Sequence, residues 1–289
     1  MSAPHDTGTS APEALHCYRH PGRETLVRCT QCDRPICPSC MRQAAVGFRC
    51  PECAGGKPTH KAWQGRKLRA PRGTMPATIT LVALNALIFL FEVAQSGGFS
   101  PTVAATPIIQ DGAIFGPLIA EGEWYRLVTG AFLHSSLIHI GFNMLLLWWL
   151  GGSLERYVGS SRMLAIYFSA VLWGSAGALL LSADAVTIGA SGGVYGVMGA
   201  ILVVQRQQGM ALLRSFVGVL LIINLVFTFF ASNISVGGHL GGLVGGVAAA
   251  WVLSGYGKGS IAYGRAGVAG TAGVIGLLAG AVVVSLAVV

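Results

Sequence analysis

The sequence predicts an all-α polytopic membrane protein with seven transmembrane helices, preceded by a small cytoplasmic module that a metal stabilises. Composition predicts the membrane part, since 53% of the 289 residues are hydrophobic and only 10% are charged. A soluble domain usually carries about 25% charged residues. The distribution of cysteine predicts the module, because all seven cysteines lie before residue 54.

Shifts in composition divide the chain into five segments. A polar tail, which we expect to be disordered, is followed by a cysteine-rich module and a basic linker. Six apolar spans then form a helical core, and the last segment holds a loop and the seventh span. The predicted boundaries are 1–15 for the tail, 16–53 for the module, 54–75 for the linker, 76–255 for the core and 256–289 for the C-terminal segment.

Seven apolar runs approach the length of about 20 residues that a helix needs to cross a bilayer. They lie at 77–94, 136–152, 162–182, 188–204, 211–230, 236–254 and 266–288. The loops on the side of the basic linker each contain two basic residues: Arg156 and Arg162, Arg206 and Arg214, Lys258 and Arg265. Because cytoplasmic loops are enriched in Lys and Arg, we expect a cytoplasmic N-terminus and an external C-terminus in a plasma or inner membrane. The cations of the linker would contact anionic membrane lipid.

The long segment 95–135 is not simply hydrophilic. It contains Trp124 and Tyr125 beside Arg126. Aromatic rings suit the headgroup level of a membrane, and a long cationic side chain can reach water or phosphate from there. We therefore interpret the segment as a partly embedded hairpin, with an ordinary extracellular loop as the alternative.

Four polar residues begin three of the predicted spans at one level of the membrane. Ser191 begins the fourth span and His239 the sixth, and both spans run in the same direction. His139 and Asn143 begin the second span four residues apart, so they share one helix face. Because polar side chains are costly inside a bilayer, residues at such depth indicate function.

Small residues recur at every fourth position of the fourth and sixth spans. They form the series Gly237, Gly241, Gly245; Gly238, Gly242, Gly246; and Gly192, Gly196, Ala200. Small residues at this spacing allow membrane helices to pack closely. We therefore expect the two spans to be in tight contact, which would bring His239 within reach of Ser191.

Ser191 and His239 are residue types that can act as a nucleophile and its base, because a serine hydroxyl attacks only when a base accepts its proton. No carboxylate is well placed as a third member: Glu155 lies a membrane thickness away, and Asp184 is the single external candidate near the serine. A two-residue arrangement is favoured. The developing oxyanion would need donors, and His139, Asn143 and the backbone N–H of Ser191 form the available set.

Each polar residue also has a structural interpretation. A serine in an apolar helix can bond to a carbonyl one turn earlier, and a histidine between glycines can be a packing residue. His139 and Asn143 could hold helices together by hydrogen bonds. For His134, which lies off the face of His139 and Asn143, we favour a structural role.

Four motifs in order resemble the rhomboid family of intramembrane serine proteases. Residues 189–196 (GASGGVYG) resemble its nucleophile motif and residues 238–242 (GHLGG) its histidine motif. His134, His139 and Asn143 match its H-x4-H-x3-N stretch, and residues 123–126 (EWYR) its first-loop signature. The resemblance covers about residues 76–255.

That resemblance implies a six-helix protease core with a dyad of Ser191 and His239. It also implies an oxyanion site made by His139, Asn143 and the Ser191 amide. Tyr195 occupies the position whose ring stacks on the catalytic histidine, and Gly189 a position whose backbone shapes the site. The seventh span resembles the family's arrangement of six helices plus one.

The cysteine module has the spacing C-x2-H-x8-C-x2-C-x4-C-x2-C-x9-C-x2-C, with His20 as its histidine. Eight ligands in four close pairs suit two tetrahedral zinc ions, and cytoplasmic thiols remain reduced, which disfavours disulfides. The pattern is similar to a B-box-type zinc finger. That resemblance implies one structural zinc ion on Cys17, His20, Cys37 and Cys40, and a second on Cys29, Cys32, Cys50 and Cys53. We expect the module to bind a protein partner rather than nucleic acid, because its arginines are scattered.

The sequence therefore predicts a serine endopeptidase that cleaves single-span membrane proteins near the outer end of their transmembrane helix. It needs no cofactor for catalysis. A non-catalytic scaffold that binds client helices is the alternative. A transporter is disfavoured, because we see no inverted repeat and no acidic residue at mid-membrane depth other than Glu92 and Glu155, which lie at the ends of spans.

Overall fold

Short strands surround the cysteines in the first of two units, Met1–Leu68, and helices make up the second, Arg69–Val289. The division between them falls inside the predicted linker. The computed structural model describes residues 15–43, 47–55, 74–96, 106–212, 215–231, 234–255 and 267–289. Most of the predicted tail and linker, the loop after residue 255, and the topology-determining Arg214, Lys258 and Arg265 lie outside the described residues.

In residues 15–43 and 47–55, the part of the first unit that the structure describes, there are two antiparallel strand pairs, a 3-10 turn at Pro38–Cys40 and one short helix. The elements are β1 (Leu15–Cys17), β2 (His20–Thr25), β3 (Arg42–Gln43), β4 (Phe48–Arg49) and α1 (Pro51–Gly55). Its buried core consists of Ile36 and five cysteines, Cys17, Cys29, Cys37, Cys40 and Cys50. A core with so little apolar volume cannot stabilise a unit of this size without a further constraint.

The regular elements of the second unit, in its described residues, are helices. Its elements are α2 (Pro76–Gln95), α3 (Pro107–Gly112), α4 (Gly116–Ala120), α5 (Arg126–Thr129), α6 (Leu137–Leu146), α7 (Gly152–Val158), α8 (Ser160–Ser182), α9 (Ser191–Gln207), α10 (Phe216–Phe230), α11 (Val236–Leu253) and α12 (Val268–Ala287). A π-helical turn at Leu147–Gly151 joins α6 to α7, so that Leu137–Val158 forms one span.

Each of the seven predicted spans overlaps a helix, and among the described residues five helices are long and apolar enough to cross a membrane. The chain is thus an integral membrane protein. The predicted starts of the fourth and fifth spans, at 188 and 211, are too early. Gly189 adopts φ +123°, outside the helical region, so α9 begins at Ser191 with 17 residues. Ser215 caps α10, which has 15 residues, by accepting a hydrogen bond from the Gly218 N–H.

The two glycine series of α11 face different neighbours. Gly237 and Gly241 lie against the backbone of α8, where an added Cβ would overlap carbonyl oxygens. Gly242 and Gly246 face α9, where an added Cβ would overlap the backbone of Gly192 and Gly196. The predicted close approach of the fourth and sixth spans is therefore present, and α8 is a second partner that the sequence did not identify.

Segment 106–134 folds as a chain of short helices that is anchored by one buried cation. The Arg126 side chain is 3% exposed and donates to the Glu123 carboxylate at 2.7 Å and to the Gln110 carbonyl at 2.8 Å. The expectation that Arg126 reaches water is therefore wrong, because backbone carbonyls and a carboxylate accept its hydrogen bonds within the segment. Hydrogen bonds from Arg126 and Tyr125 hold the pKa of Glu123 below its usual value. Trp124 is exposed, as expected of an interfacial ring.

Candidate active site and metal centres

The chain before Ser191 is fixed by hydrogen bonds to segment 106–134. Ile114 and Thr187 exchange both backbone bonds, at 3.0 and 2.9 Å, and the Gly189 N–H donates to the Gly130 carbonyl at 2.9 Å. The left-handed φ of Gly189 then turns the chain into α9, so that Ser191 is its first residue. The N–H groups of a first helical turn have no acceptor within the helix, and they remain available for a ligand.

His239 lies in the first turn of α11. Ser235 caps this helix by accepting from the Gly238 N–H at 3.1 Å. The Nε2 atom of His239 lies 2.8 Å from Ser191 Oγ, a hydrogen-bond distance. The structure thus brings together the serine and histidine that the sequence singled out, from helices in direct backbone contact.

Two further residues hold the His239 ring. Tyr195 stacks on it with ring centroids 4.1 Å apart and 19° between the planes. Thr228 on α10 lies with Oγ1 2.7 Å from His239 Nδ1. Thr228 was missed in the sequence analysis. Asp184, which the sequence analysis named as the one external carboxylate near Ser191, is exposed. A threonine eleven residues before a histidine does not by itself predict a contact, because the path of the loop between their helices is not known from the sequence.

His139 lies close to Gly189 and Ser191. A Cβ added to Gly189 would lie 2.6 Å from His139 Nε2 and 3.8 Å from Ser191 Oγ. Only a glycine leaves room there. Asn143 is buried one turn later and donates from Nδ2 to the His139 carbonyl at 2.9 Å. The amide of Asn143 retains a second N–H.

The turn before α6 positions His139. The Ser135 N–H and hydroxyl lie 3.4 and 3.3 Å from His139 Nδ1. The buried His134 ring meets the His139 ring edge-on at 4.9 Å, and its backbone N–H donates to the Glu92 carboxylate at 3.1 Å. Glu155 lies elsewhere and accepts from the Ala77 and Thr78 amides, which begin α2. There a negative charge suits the positive end of the helix dipole.

In the first unit, the cysteines and His20 form two groups that could hold metal ions. One contains Cys17, His20, Cys37 and Cys40, and the other Cys29, Cys32, Cys50 and Cys53, with all ligand atoms of a group within 4.8 Å of one another. All seven thiols are free of disulfides. Burial opposes ionisation of Cys17, but hydrogen bonds from backbone amides and from His20 outweigh it and lower its pKa to about 6. Thiolates are the form that binds metal.

Comparison with known proteins finds one family. Residues 121–256 match the Rhomboid domain. Rhomboid protease GluP of Bacillus subtilis is 40% identical over 179 residues, 61% of this chain but only 34% of that relative. Putative rhomboid protease YdcA of the same organism is 31% identical over 176 residues, 59% of this chain and 85% of the relative. Rhomboid protease GlpG of Salmonella paratyphi A is 34% identical over 143 residues, which cover 48% of this chain and 51% of that relative.

Proposed function

We propose, from the premise that this chain belongs to the rhomboid family, that it is an intramembrane serine endopeptidase. The observation that carries the proposal is the 2.8 Å separation of His239 Nε2 and Ser191 Oγ. A serine and a histidine at this distance form a nucleophile with its base. The chain matches only part of GluP and of GlpG, so activity is argued here from its own residues.

The reaction proceeds through an acyl-enzyme. Ser191 Oγ attacks the substrate carbonyl carbon while its proton passes to His239 Nε2. The tetrahedral intermediate collapses when Nε2–H protonates the leaving amine, which breaks the C–N bond and leaves an ester on Ser191. Water then gives a proton to His239 and attacks the ester carbonyl, and the proton returns to Ser191 Oγ as the acid leaves.

The oxyanion site is formed by the Ser191 N–H, His139 and Asn143. A backbone N–H can only donate, so the Ser135 N–H makes His139 Nδ1 an acceptor. The proton of the neutral imidazole therefore sits on Nε2, the nitrogen beside Gly189 and Ser191. Nε2–H is thus a donor that points to the place where negative charge develops.

The substrates are single-span membrane proteins, cut near the outer end of their helix. The dyad sits at the beginnings of α9 and α11, and the expected cytoplasmic N-terminus puts those ends on the outer side. An amide inside a helix is shielded and hydrogen-bonded, so the cleaved segment must be extended. We therefore expect sites in helices weakened by Gly, Pro or polar residues.

The test is cleavage of a tagged single-span substrate by the full chain in liposomes, with mapping of the cut site. We expect cleavage inside or beside the membrane segment, and labelling of Ser191 by a fluorophosphonate probe. The alternative, a non-catalytic scaffold for client helices, predicts that Ser191→Ala retains function. A folded protein that neither cleaves a panel of destabilised helices nor labels would overturn the protease proposal.

We also propose that the cysteine module of the first unit, residues 16–53, binds two structural zinc ions and recruits a protein partner. Zn–S bonds of about 2.3 Å place two tetrahedral sulfur ligands about 3.8 Å apart. The ligand separations fit this geometry: His20 Nδ1 lies 3.4 Å from Cys37 Sγ and 3.3 Å from Cys40 Sγ, and Cys32 and Cys50 sulfurs lie 3.7 Å apart. Bound zinc would stabilise a unit whose core is mostly cysteine.

Disrupting the zinc ligands should unfold the first unit without changing turnover by the second. We expect the purified full chain to contain two zinc ions, and Cys37→Ser and Cys29→Ser each to contain fewer, because the two residues belong to different groups. Elemental analysis measures the zinc content, and kcat in liposomes measures turnover. His16→Ala, an exposed neighbour outside both groups, is the matched control and should retain both ions.

Two outcomes would contradict this prediction. Undiminished zinc in Cys37→Ser and Cys29→Ser would exclude the ligand sets. A Cys29→Ser protein whose membrane helices melt normally but which no longer cleaves would show that the first unit controls the active site.

A further inference from the structure

Thr228 is the meeting point of three polar groups in the wall of the site. Its side chain is 1% exposed, and Oγ1 lies 2.7 Å from His239 Nδ1, 2.7 Å from the Tyr195 hydroxyl and 2.8 Å from the Asn224 carbonyl. A hydroxyl has one proton to donate and two lone pairs with which to accept. Three partners therefore use its full capacity, and their chemistry fixes the direction of each bond.

The carbonyl of Asn224 can only accept, so the Thr228 proton goes to it. The two lone pairs then accept from the Tyr195 O–H and from an N–H on His239 Nδ1. In the opposite arrangement, Thr228 would donate to Nδ1. The Thr228 hydroxyl oxygen and the Asn224 carbonyl oxygen would then lie 2.8 Å apart with no proton between them, which is strongly unfavourable in a buried place. The neutral His239 ring therefore carries its proton on Nδ1.

This tautomer is the one that catalysis requires. With the proton on Nδ1, the lone pair of Nε2 faces Ser191 Oγ at 2.8 Å and can accept its proton. When Nε2 is protonated, the Nδ1–H bond to Thr228 remains and stabilises the imidazolium. In a serine hydrolase with a triad, a carboxylate on Nδ1 has this role.

We propose that Thr228 is the positioning residue of His239, a neutral third member of the catalytic group that sets the tautomer and orientation of the ring. The proposal rests on the protease function and deepens it. Tyr195 adds a second constraint, because its ring stacks on His239 while its hydroxyl donates to Thr228. The ring is thus held at its face and at one nitrogen, which leaves Nε2 as the reactive atom.

The test compares Thr228→Val, which keeps the shape but removes the hydroxyl, with Thr228→Ser, which keeps the hydroxyl. We expect Thr228→Val to lower kcat by about 10- to 100-fold with little change in KM, by analogy with the loss seen when the hydrogen-bond partner of a metal-ligating histidine is removed. The rate of fluorophosphonate labelling of Ser191 should fall with it. Thr228→Ser should restore both rates to near those of the wild type.

Ser285→Ala is the matched control, because it also removes a buried hydroxyl that donates to a carbonyl four residues earlier, Ala281, at 2.8 Å on α12. It should leave kcat and labelling unchanged. Equal rates for wild type and a folded Thr228→Val would overturn the positioning role while leaving the protease function standing. Loss of activity in Thr228→Val and Thr228→Ser alike would show a packing role instead. If the wild type neither cleaves nor labels, the protease function itself fails.

Discussion

Replacing Ser191 and His239 together with alanine is expected to slow cleavage no more than replacing either residue alone. Each single change should lower kcat by about 10⁴- to 10⁶-fold, because residues that act as one catalytic unit give non-additive losses. Without His239, the Ser191 hydroxyl has no base within reach. Without Ser191, His239 has no nucleophile to activate, since its Nε2 is directed at Ser191 Oγ at 2.8 Å.

The measurement is single-turnover cleavage of the same single-span substrate by both single variants and the double variant in liposomes. Thermal unfolding of each variant controls for folding. Activity that remains in all three would come from substrate binding and from the oxyanion donors, His139 among them. A double variant much slower than both single variants would show that the two residues act independently, and would contradict the dyad.

The sequence predicted the proximity of Ser191 and His239 better than it predicted their surroundings. Ser191 and His239 could be paired because each is flanked by glycines at the start of a span, and because small-residue series predicted close packing of the two helices. This inference needed only helical periodicity and the direction of the spans. It did not depend on the loops between them.

Rotation of helices about their axes could not be read from the same pattern. Both glycine series of α11 satisfy the spacing rule, yet one faces α8 and the other α9. Thr228 was missed for the same reason, because its face of α10 is determined by tertiary packing. The start of α9 was placed too early, since the left-handed backbone of Gly189 depends on bonds to the distant segment 106–134.

Gly242→Ala and Gly246→Ala are each expected to abolish most cleavage and to destabilise the membrane unit. A Cβ added to Gly242 would overlap the Gly192 backbone, and one added to Gly246 would overlap the backbone of Gly196. Backbone atoms of a packed helix cannot rotate away as a side chain can, so α9 and α11 must separate. A displacement of about 1 Å at the reacting groups can lower the rate by about 100-fold. Overpacking of this kind typically costs about 1–3 kcal/mol of stability.

The matched control is Gly276→Ala on α12, where an added Cβ meets nothing within 4 Å. This change should leave cleavage intact and should raise or preserve the unfolding midpoint, because alanine favours a helix by about 1 kcal/mol over glycine. Cleavage rates in liposomes and thermal unfolding in detergent compare the three variants. Wild-type rates and stability in Gly242→Ala would show that the helices can part without moving His239 from Ser191. The rate would then not depend on this backbone contact. The side chains of Tyr195 and Thr228 would be sufficient to keep the His239 ring in place.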